Sequence, residues 1–279
     1  MTRIAIVGLT VAALALSHPS TAAVGRTEGQ ASVSPTGNAN YTIPIKVPPG
    51  VNELTPNLSL SYGHNKEEGI AGVGWGITGL SVITRCPKTV AQDGAPDNVK
   101  LERGDRLCLD GNQLRLTSGT YGYSGSKYRT EVDMIARVTA NGSAGDGPAW
   151  FNVEAKGGLI YEYGNSTDSR IESLALGDET TARVWALSKI LDRAGNEIRF
   201  TYTEAGAPYG SYRPNKIEYR VNPTAGASNA GYRISFVYQS QPVQDVDTSY
   251  ATAGIVEDFK RLISVDVDFL SSPTTPFRV

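Results

Sequence analysis

Bulky apolar side chains alternate with polar ones through most of the chain. An alternation with a period of two places the apolar residues of a strand on one face and the polar residues on the other. Helical spacing is nearly absent, and the one plausible helical stretch, Val256 to Ile263, is too short to change the fold class. The alternation predicts strands with apolar faces at Tyr41-Ile43-Ile45-Val47, Leu58-Leu60-Tyr62, Val82-Thr84, Leu107-Leu109, Leu114-Leu116, Phe151-Val153, Leu159-Tyr161-Tyr163, Ile198-Phe200-Tyr202, Ile234-Phe236-Tyr238 and Ile263-Val265-Val267-Phe269.

Turn-forming residues separate these predicted strands. Short strands with Gly, Asp and Asn between them, at a spacing of about ten residues, are typical of antiparallel all-β proteins. We therefore predict an all-β fold of antiparallel strands and hairpins. The turn clusters are Pro48-Pro49-Gly50, Asp93-Gly94, Asp110-Gly111-Asn112, Gly157-Gly158 and Ala194-Gly195-Asn196.

Three segments share one layout of a strand, a glycine-containing turn and a second strand. They are FNVEAKGGLIYEYGN, LSKILDRAGNEIRFTYTEAG and, with a longer loop, IEYRVNPTAGASNAGYRISFVYQ. Repeated units of this kind are expected to stack beside one another. The repetition predicts a series of hairpins that forms one large curved sheet or a partial β-shell.

The first 23 residues have the three-part layout of a secretory signal peptide. Arg3 provides a positive start, Ile4 to Leu16 is almost uninterrupted apolar sequence, and small residues up to Ala23 follow a break at Pro19. A membrane-spanning helix is the alternative, but it needs about 20 apolar residues, more than this run contains. We expect residues 1–23 to direct export and to be removed, and residues 24–279 to form one β domain.

The charge balance argues against two classes of partner. The 279 residues carry a formal net charge of −2, and lysines and arginines are scattered singly. Binding to nucleic acid or to an anionic lipid surface requires a basic patch. No later segment is apolar enough to span a bilayer. We expect neither a nucleic-acid partner nor a membrane span.

The chain contains two cysteines, Cys86 and Cys108. In an exported protein a disulfide between them is the natural interpretation, because the compartment is oxidising. The chain-entropy model gives such a bond a stabilisation of roughly 3 kcal/mol. Two buried free thiols are the alternative. A structural zinc site is excluded, because no histidine lies near the two cysteines to complete its ligands.

The segment GVGWGITGL, Gly72 to Leu80, has the Gly-x-Gly-x-x-Gly spacing of a dinucleotide-binding loop. Such a loop requires a buried strand before the glycines and a helix after them, whose N-terminus holds the phosphate. Here a polar segment precedes the glycines and a strand-like one, Leu80 to Arg85, follows. We predict no cofactor, and instead a tight crossing between the strand ending near Tyr62 and the one beginning at Leu80. The residues assigned to this crossing and to the turn before it are Pro48, Pro49, Gly50, Gly72, Gly74, Trp75, Gly76 and Gly79.

Few residues suit nucleophilic catalysis or metal binding. His64 is the one histidine outside the predicted signal peptide, and it lies in a polar loop where an exposed histidine is expected. The pairs Asp245 with Asp247 and Asp266 with Asp268 lack the dense oxygen spacing of a calcium-binding loop. We predict no metal site.

A secreted carbohydrate-binding or carbohydrate-active protein is the alternative function. Glycoside hydrolases use two carboxylates, and exposed aromatic rings can stack on sugars. The candidate carboxylates are Asp168, Glu172, Glu154 and Glu162, and the candidate stacking residues are Trp75, Trp150, Trp185 and tyrosines.

Several motifs, in order, resemble the N-terminal domain of the SpvB family, named for the Salmonella virulence plasmid B protein. The same domain begins the B components of Tc insecticidal toxins and many secreted Rhs/YD-repeat proteins. The most specific block runs from Gly25 to Gly94 and includes GVGWGITGL; DRLCLDGNQLRL and WALSKILDRAGNEIRFTY follow in the family's order. The resemblance covers Gly25 to about Leu262.

The resemblance implies a non-enzymatic β module. In Tc toxins this domain helps to build a hollow β-sheet cocoon around a cytotoxic payload, and in SpvB-type effectors it precedes a separate ADP-ribosyltransferase domain. It implies a secreted scaffold or encapsulation role for this chain, with the toxic chemistry elsewhere. From the signal peptide we expect export to the extracellular region, with the periplasm and the cell surface as alternatives, and the resemblance adds the host cytoplasm as the location of related effectors. The sequence has no residues that match the transferase domain and stops before the YD repeats. We therefore expect a fragment, or a chain that needs further Rhs or toxin-complex segments to complete its shell.

Overall fold

The computed structural model describes residues 28–64, 68–132, 136–173, 178–205, 210–242, 246, 248–251, 254–270 and 277–278. The predicted signal peptide, Asp245 and Asp247 lie outside these ranges. Within them the chain is mainly β-strand, with one short α-helix, α1 (Val90–Asp93), and short 3-10 turns at Thr167–Ser169 and Pro223–Ala225. No helix in the described ranges is long and apolar enough to cross a bilayer.

The N-terminal part of the described chain forms a small antiparallel sheet. Its strands and an inserted hairpin are β1 (Gln30–Val33), β2 (Ala39–Ile45), β3 (Leu58–Gly63), β4 (Glu68–Gly69), β5 (Gly72–Val73) and β6 (Trp75–Thr78). The sheet order is β1-β2-β3-β6, and β4 pairs with β5 separately. Tyr41 lies opposite Tyr62, which lies opposite Trp75, so three aromatic residues form a row across the sheet.

The middle of the chain closes into an eight-stranded antiparallel barrel. Its strands, together with the side strand β14, are β7 (Val82–Cys86), β8 (Arg106–Leu109), β9 (Asn112–Ser118), β10 (Lys127–Thr130), β11 (Arg137–Asn141), β12 (Trp150–Glu154), β13 (Ile160–Tyr163), β14 (Arg170–Ser173) and β15 (Asp178–Leu191). Strands β7 to β13 pair in sequence order, and β15 closes the ring by pairing with both β13 and β7. The 14 residues of β15 allow this, because Val184 pairs with β7 and Ile190 with β13.

Side chains fill the barrel, as expected for eight strands. Tyr128, Val138 and Phe151, on β10, β11 and β12, are fully buried. Trp185 of β15 packs edge-on against Phe151, with 5.1 Å between the ring centroids. Its indole Nε1 donates to the carbonyl of Pro148 at 3.1 Å, so the polar end of the buried ring is satisfied. The barrel thus encloses a packed aromatic core.

From β15 the sheet continues outward through a second set of strands. These are β16 (Glu197–Glu204), β17 (Tyr212–Val221), β18 (Tyr232–Ser240), β19 (Thr248–Ala251), β20 (Gly254–Glu257), β21 (Lys260–Phe269) and β22 (Phe277–Arg278). The order is β15-β16-β17-β18-β21-β22, with β19 and β20 as a separate hairpin. The three predicted hairpins are β12–β13, β15–β16 and β17–β18, each an adjacent antiparallel pair. The predicted all-β fold with a large curved sheet is confirmed.

The small sheet packs against this outer part of the large sheet. The Tyr219 hydroxyl of β17 donates to the carbonyl of Pro48 at 2.9 Å, and the amide of Leu262 on β21 donates to the carbonyl of Ile70 at 2.7 Å. Ile45 from β2 belongs to the same buried cluster as the barrel residues. One continuous core therefore joins the barrel, the outer strands and the small sheet.

The local structure differs from the sequence pattern at two places. Val256 to Ile263, the one stretch with plausible helical spacing, forms the end of β20 and the start of β21. Pairing of β21 with β18 along nine residues outweighs the weak helical pattern. On β7 the buried side chains are Ile83 and Arg85 rather than those of Val82 and Thr84, because Ile83 belongs to the core and Arg85 is held by buried polar groups.

Three residues of the predicted apolar faces are exposed instead. Leu116, Ile263 and Phe269 have 40%, 53% and 47% of their surface exposed. At Ile263 the cause is a β-bulge, since Tyr238 lies opposite Leu262 and the register then shifts by one residue. The bulge turns Leu262 inward and Ile263 outward.

Candidate functional site

The segment Gly72 to Gly79 carries the chain from the small sheet towards the barrel, and most of it is strand. The φ angles of Gly74 and Gly79 are +77° and +95°, in the left-handed region. A β-carbon at Gly79 would lie 2.0 Å from the carbonyl oxygen of Asn57, and one at Gly74 would lie 2.7 Å from the ring of Tyr62. At these two positions the fold requires glycine, for conformation and for space.

The other glycines of the segment are less constrained, and its tryptophan packs on the small sheet. A β-carbon at Gly72 or Gly76 would meet no atom within 4 Å, although Gly72 also has a positive φ. The Trp75 ring lies 5.5 Å from the Tyr62 ring and 6.4 Å from the Tyr41 ring, measured between centroids. The segment thus combines two required glycines with an aromatic cluster.

An apolar cleft lies between the small sheet and β21. Its volume is about 410 Å³. Trp75 lines one side and the exposed Ile263 the other. The remaining lining residues are Ile43, Pro44, Ile45, Leu60, Ala71, Leu262, Ser264 and Val265.

The Pro48-Pro49-Gly50 turn connects the small sheet to β17. The carbonyl of Pro48 accepts the hydrogen bond from Tyr219, and the amide of Gly50 donates to the Thr55 hydroxyl at 2.8 Å. The turn is therefore tied both to its own loop and to the large sheet.

A disulfide joins Cys86 on β7 to Cys108 on β8, with 6.0 Å between the Cα atoms. It closes the loop that contains α1. At the end of α1 the Asp93 carboxylate pairs with Arg106 Nε at 2.7 Å. The disulfide and this ion pair both fix the loop to β8.

Arg85 is a buried charge that the sequence analysis did not identify. Only 2% of its side chain is exposed. Nη1 donates to the Asp105 carboxylate at 3.0 Å and to the Glu102 carbonyl at 2.6 Å. Nε donates to the carbonyl of Ala182 and Nη2 to that of Asp146, each at 2.7 Å. These bonds join β7, β15 and two loops, so the arrangement is structural rather than catalytic.

Two of the candidate carboxylates, Glu154 and Glu162, are held by cations on neighbouring strands. Glu154 pairs with Arg137 across β11 and β12. Glu162 pairs with Lys189 at 3.2 Å and accepts a hydrogen bond from Asn165 at 2.8 Å. Each has the ordinary environment of a cross-strand ion pair.

The other two candidate carboxylates, Asp168 and Glu172, interact electrostatically with Glu204, which the sequence analysis did not identify. The Asp168 carboxylate accepts from the amide of Tyr202 at 2.8 Å, and Arg170 Nε donates to Glu172 at 3.0 Å. Glu204 is the last residue of β16, in the outer part of the large sheet. No local motif in the sequence marks it, because the group forms between separate strands.

The pKa of Glu204 is raised to about 7. Burial is the main cause, since it disfavours the charged carboxylate, and the negative charges of Glu172 and Asp168 add to it. Arg183 and Arg170 offset part of the rise. A carboxyl group with a pKa near neutrality can hold or release a proton under ordinary conditions, which is the property of an acid catalyst.

The remaining candidate site residues range from exposed to fully buried. His64 is exposed, Trp75 and Trp150 are half-buried, and Trp185 is fully buried. Trp185 therefore cannot stack on a sugar, and the alternative function loses that residue. Asp266 and Asp268 lie on β21. In the described part of the chain no group of three or more His, Cys, Asp or Glu side chains could hold a metal ion.

Comparison with known proteins identifies a matching family and solved structures with a similar fold. A family model described as Salmonella virulence plasmid 65kDa B protein, SpvB, matches residues 33–250. No curated protein sequence matches the chain. Similar solved structures include TcdB2-TccC3, with a TM-score of 0.70 and 15% identity, and a Photorhabdus luminescens Tc holotoxin pore, with 0.67 and 15%. The N-terminal domain of effector protein SpvB from Salmonella typhimurium strain LT2 has a TM-score of 0.64 and 15% identity.

The lengths compared differ greatly. The TcdB2-TccC3 match covers 91% of this chain and 15% of that chain, and the holotoxin match covers 91% and 14%. The SpvB match covers 85% of this chain and 91% of the solved domain. At 15% identity these likenesses show the fold alone, and the chain spans about 15% of the length of the TcdB2-TccC3 chain. Because the family model matches more than half of the sequence, the chain belongs to the SpvB family.

Proposed function

We propose that this chain is an exported, non-catalytic scaffold module of a toxin-like system, and that it forms part of a β-shell which further segments or chains complete. The observation that carries the proposal is the fold, which also occurs as part of a much longer toxin chain. This chain spans about 15% of that toxin chain. We infer that neighbouring segments or chains complete the shell.

The cleft beside β21 supports attachment of such a neighbour. Ile263 is 53% exposed there, next to the half-buried Trp75 and several other apolar residues. A contiguous exposed apolar surface typically marks an interaction site. The TcdB2-TccC3 structure combines two named components, and we expect this chain likewise to work with a second toxin component.

The test is copurification with the segments encoded beside this chain in its own genome, which we expect to contain YD repeats or toxin-complex components. The full chain should form a stable complex with them, and Ile263→Lys should weaken that complex at least tenfold. Leu116→Lys is the matched control, because Leu116 is 40% exposed on β9, outside the cleft. An isolated gene whose product binds no such segment would contradict the proposal.

Export is tested separately, by N-terminal sequencing of the protein from the producing cell. We expect cleavage after Ala23. A secreted or periplasmic protein that retains Met1 would contradict the signal-peptide prediction, while the scaffold proposal would still depend on the copurification.

Carbohydrate chemistry is the second candidate, and the raised pKa of Glu204 favours it. A protonated Glu204 beside Glu172 and Asp168 has the make-up of an acid–base site. Hydrolysis of any substrate in a glycoside panel, lost in Glu204→Gln and kept in Glu154→Gln, would support it and would overturn the non-catalytic proposal. We expect no hydrolysis.

A further inference from the structure

Arg220 adopts a backbone conformation that arginine rarely takes. Its φ is +58°, in the left-handed region, which is unfavourable for long side chains. The position is a β-bulge: Glu197 and Ile198, adjacent on β16, lie opposite Val221 and Tyr219, so Arg220 is the extra residue of β17. Bulges with a left-handed residue usually carry glycine, and bulges re-aim side chains near functional sites. The strain at Arg220 therefore suggests a function for its side chain.

The side chain of Arg220 lies beside a cavity of about 770 Å³. Its guanidinium carbon is 5.4 Å from the centroid of the Tyr232 ring. Tyr232 packs in turn against Phe269, with 5.1 Å between the ring centroids, and Phe269 is 47% exposed. The cavity is lined by three cations, one carboxylate, two small polar residues and one aromatic ring, among other residues. The cations are Arg199, Arg220 and Arg233, the carboxylate is Glu218, which pairs with Arg233, and the others are Ser228, Asn229 and Phe269.

The three arginines differ in their ion pairs. Arg199 Nε lies 2.7 Å from the Glu197 carboxylate, and Arg233 Nη2 lies 2.7 Å from that of Glu218. For Arg220, by contrast, the described residues provide no carboxylate at ion-pair distance. Arg220 is an exposed residue, so its guanidinium can pair with an anion from outside the chain.

We propose that this cavity binds a ligand that carries a carboxylate or phosphate group on a ring, with Arg220 as the anion anchor. A guanidinium presents parallel N–H donors that match the oxygens of such a group. The exposed face of Phe269 provides a flat apolar wall for the ring, and Ser228 and Asn229 supply polar groups beside it. The inference does not depend on the proposed scaffold function.

The test is calorimetric titration of the full chain with phenyl phosphate, glucuronate, inorganic phosphate and benzyl alcohol. We expect phenyl phosphate or glucuronate to bind at least tenfold more tightly than inorganic phosphate, and benzyl alcohol to show no binding. The tighter of the two ring compounds distinguishes an aryl phosphate from a sugar carboxylate. Equal binding of inorganic phosphate and both ring compounds would contradict the proposed contact between Phe269 and the ring of the ligand.

The variants separate binding from folding. Arg220→Gln should weaken binding at least tenfold, while Arg220→Gly should abolish it and leave the melting temperature unchanged or raised, because glycine relieves the left-handed strain. A merely structural arginine would instead lower the melting temperature when replaced. Arg129→Gln is the control, since Arg129 is an exposed arginine on β10 of the barrel. Binding that survives in both Arg220 variants, or no binding by the unchanged chain, would overturn the proposal.

Discussion

Gly79 and Gly76 lie three residues apart in one motif, yet the fold constrains only Gly79. Gly79 has a φ of +95° and faces the carbonyl of Asn57, where a β-carbon would lie at 2.0 Å. Around Gly76 a β-carbon would meet no atom within 4 Å. The motif spacing cannot distinguish the two, because the contact with Asn57 comes from a different part of the chain.

We expect Gly79→Ala to lower the free energy of unfolding by about 2–4 kcal/mol, from the left-handed backbone and the overlap together. Gly76→Ala should change it by less than about 0.5 kcal/mol. Urea unfolding followed by tryptophan fluorescence measures both. Similar losses in the two variants would show that the segment has a requirement that these contacts do not explain.

Glu204 makes stability depend on pH. Its pKa in the folded protein is about 7, above the ordinary value of 4.5. Between about pH 4.5 and about pH 7 the folded state binds more protons than the unfolded state, so the free energy of unfolding falls as pH rises through this range. Above this range the contribution of Glu204 to the free energy of unfolding is constant. The cost of charging the buried carboxylate is thus fully present at alkaline pH.

We expect Glu204→Gln to remove this part of the pH dependence. The measurement compares the urea midpoints of the variant and the unchanged chain at about pH 5 and about pH 8. Relative to the unchanged chain, the variant should gain stability at the higher pH, and Glu154→Gln should not show this gain. A pH profile that is identical with and without Glu204 would contradict the raised pKa.

Among the elements, the loop between β7 and β8 depends on the disulfide. Cys86 and Cys108 are 22 positions apart, and a closed loop of that length stabilises the folded state by roughly 3 kcal/mol in the chain-entropy model. The Cys86→Ser, Cys108→Ser double variant should lose about that much in urea unfolding. Dithiothreitol should destabilise the unchanged chain similarly and leave the double variant unaffected. Two titratable thiols in denatured, unreduced protein would contradict the bond.

Strand positions were predictable from the alternation, whereas the buried face was predictable only where the strand is regular. Ile198 and Phe200 on β16 are buried as expected. On β21 the bulge reverses the expected side at Ile263. A one-residue shift exchanges the two faces of a strand, and this shift is visible only in the pairing of β21 with β18.

At the scale of the whole molecule, Arg85 holds the barrel together. It bonds to Asp105, to the carbonyls of Glu102 and Asp146, and to that of Ala182 on β15, the strand that closes the ring. Removal of one partner from a buried ion pair leaves an uncompensated charge inside. The stability of the closed barrel is therefore expected to depend on this one side chain.

We expect Arg85→Met to lower the free energy of unfolding by about 3–5 kcal/mol. Adding Asp105→Asn should recover part of that loss, because the buried carboxylate is then removed as well. Arg129→Met, on the outside of the barrel, should have little effect. A loss that is unchanged in the double variant would mean that the carbonyl bonds, not the ion pair, carry the contribution of Arg85.

The sequence by itself determined the all-β class, the antiparallel hairpins and the family. Alternation and turn residues act between neighbours along the chain, and family motifs are recorded in the residues themselves. Only the tertiary structure decided that β15 closes a barrel, that Arg85 is buried, that Glu204 lies near Asp168 and Glu172, and that Arg220 lines a cavity. These features depend on contacts between residues tens of positions apart, and a local pattern carries no information about such contacts.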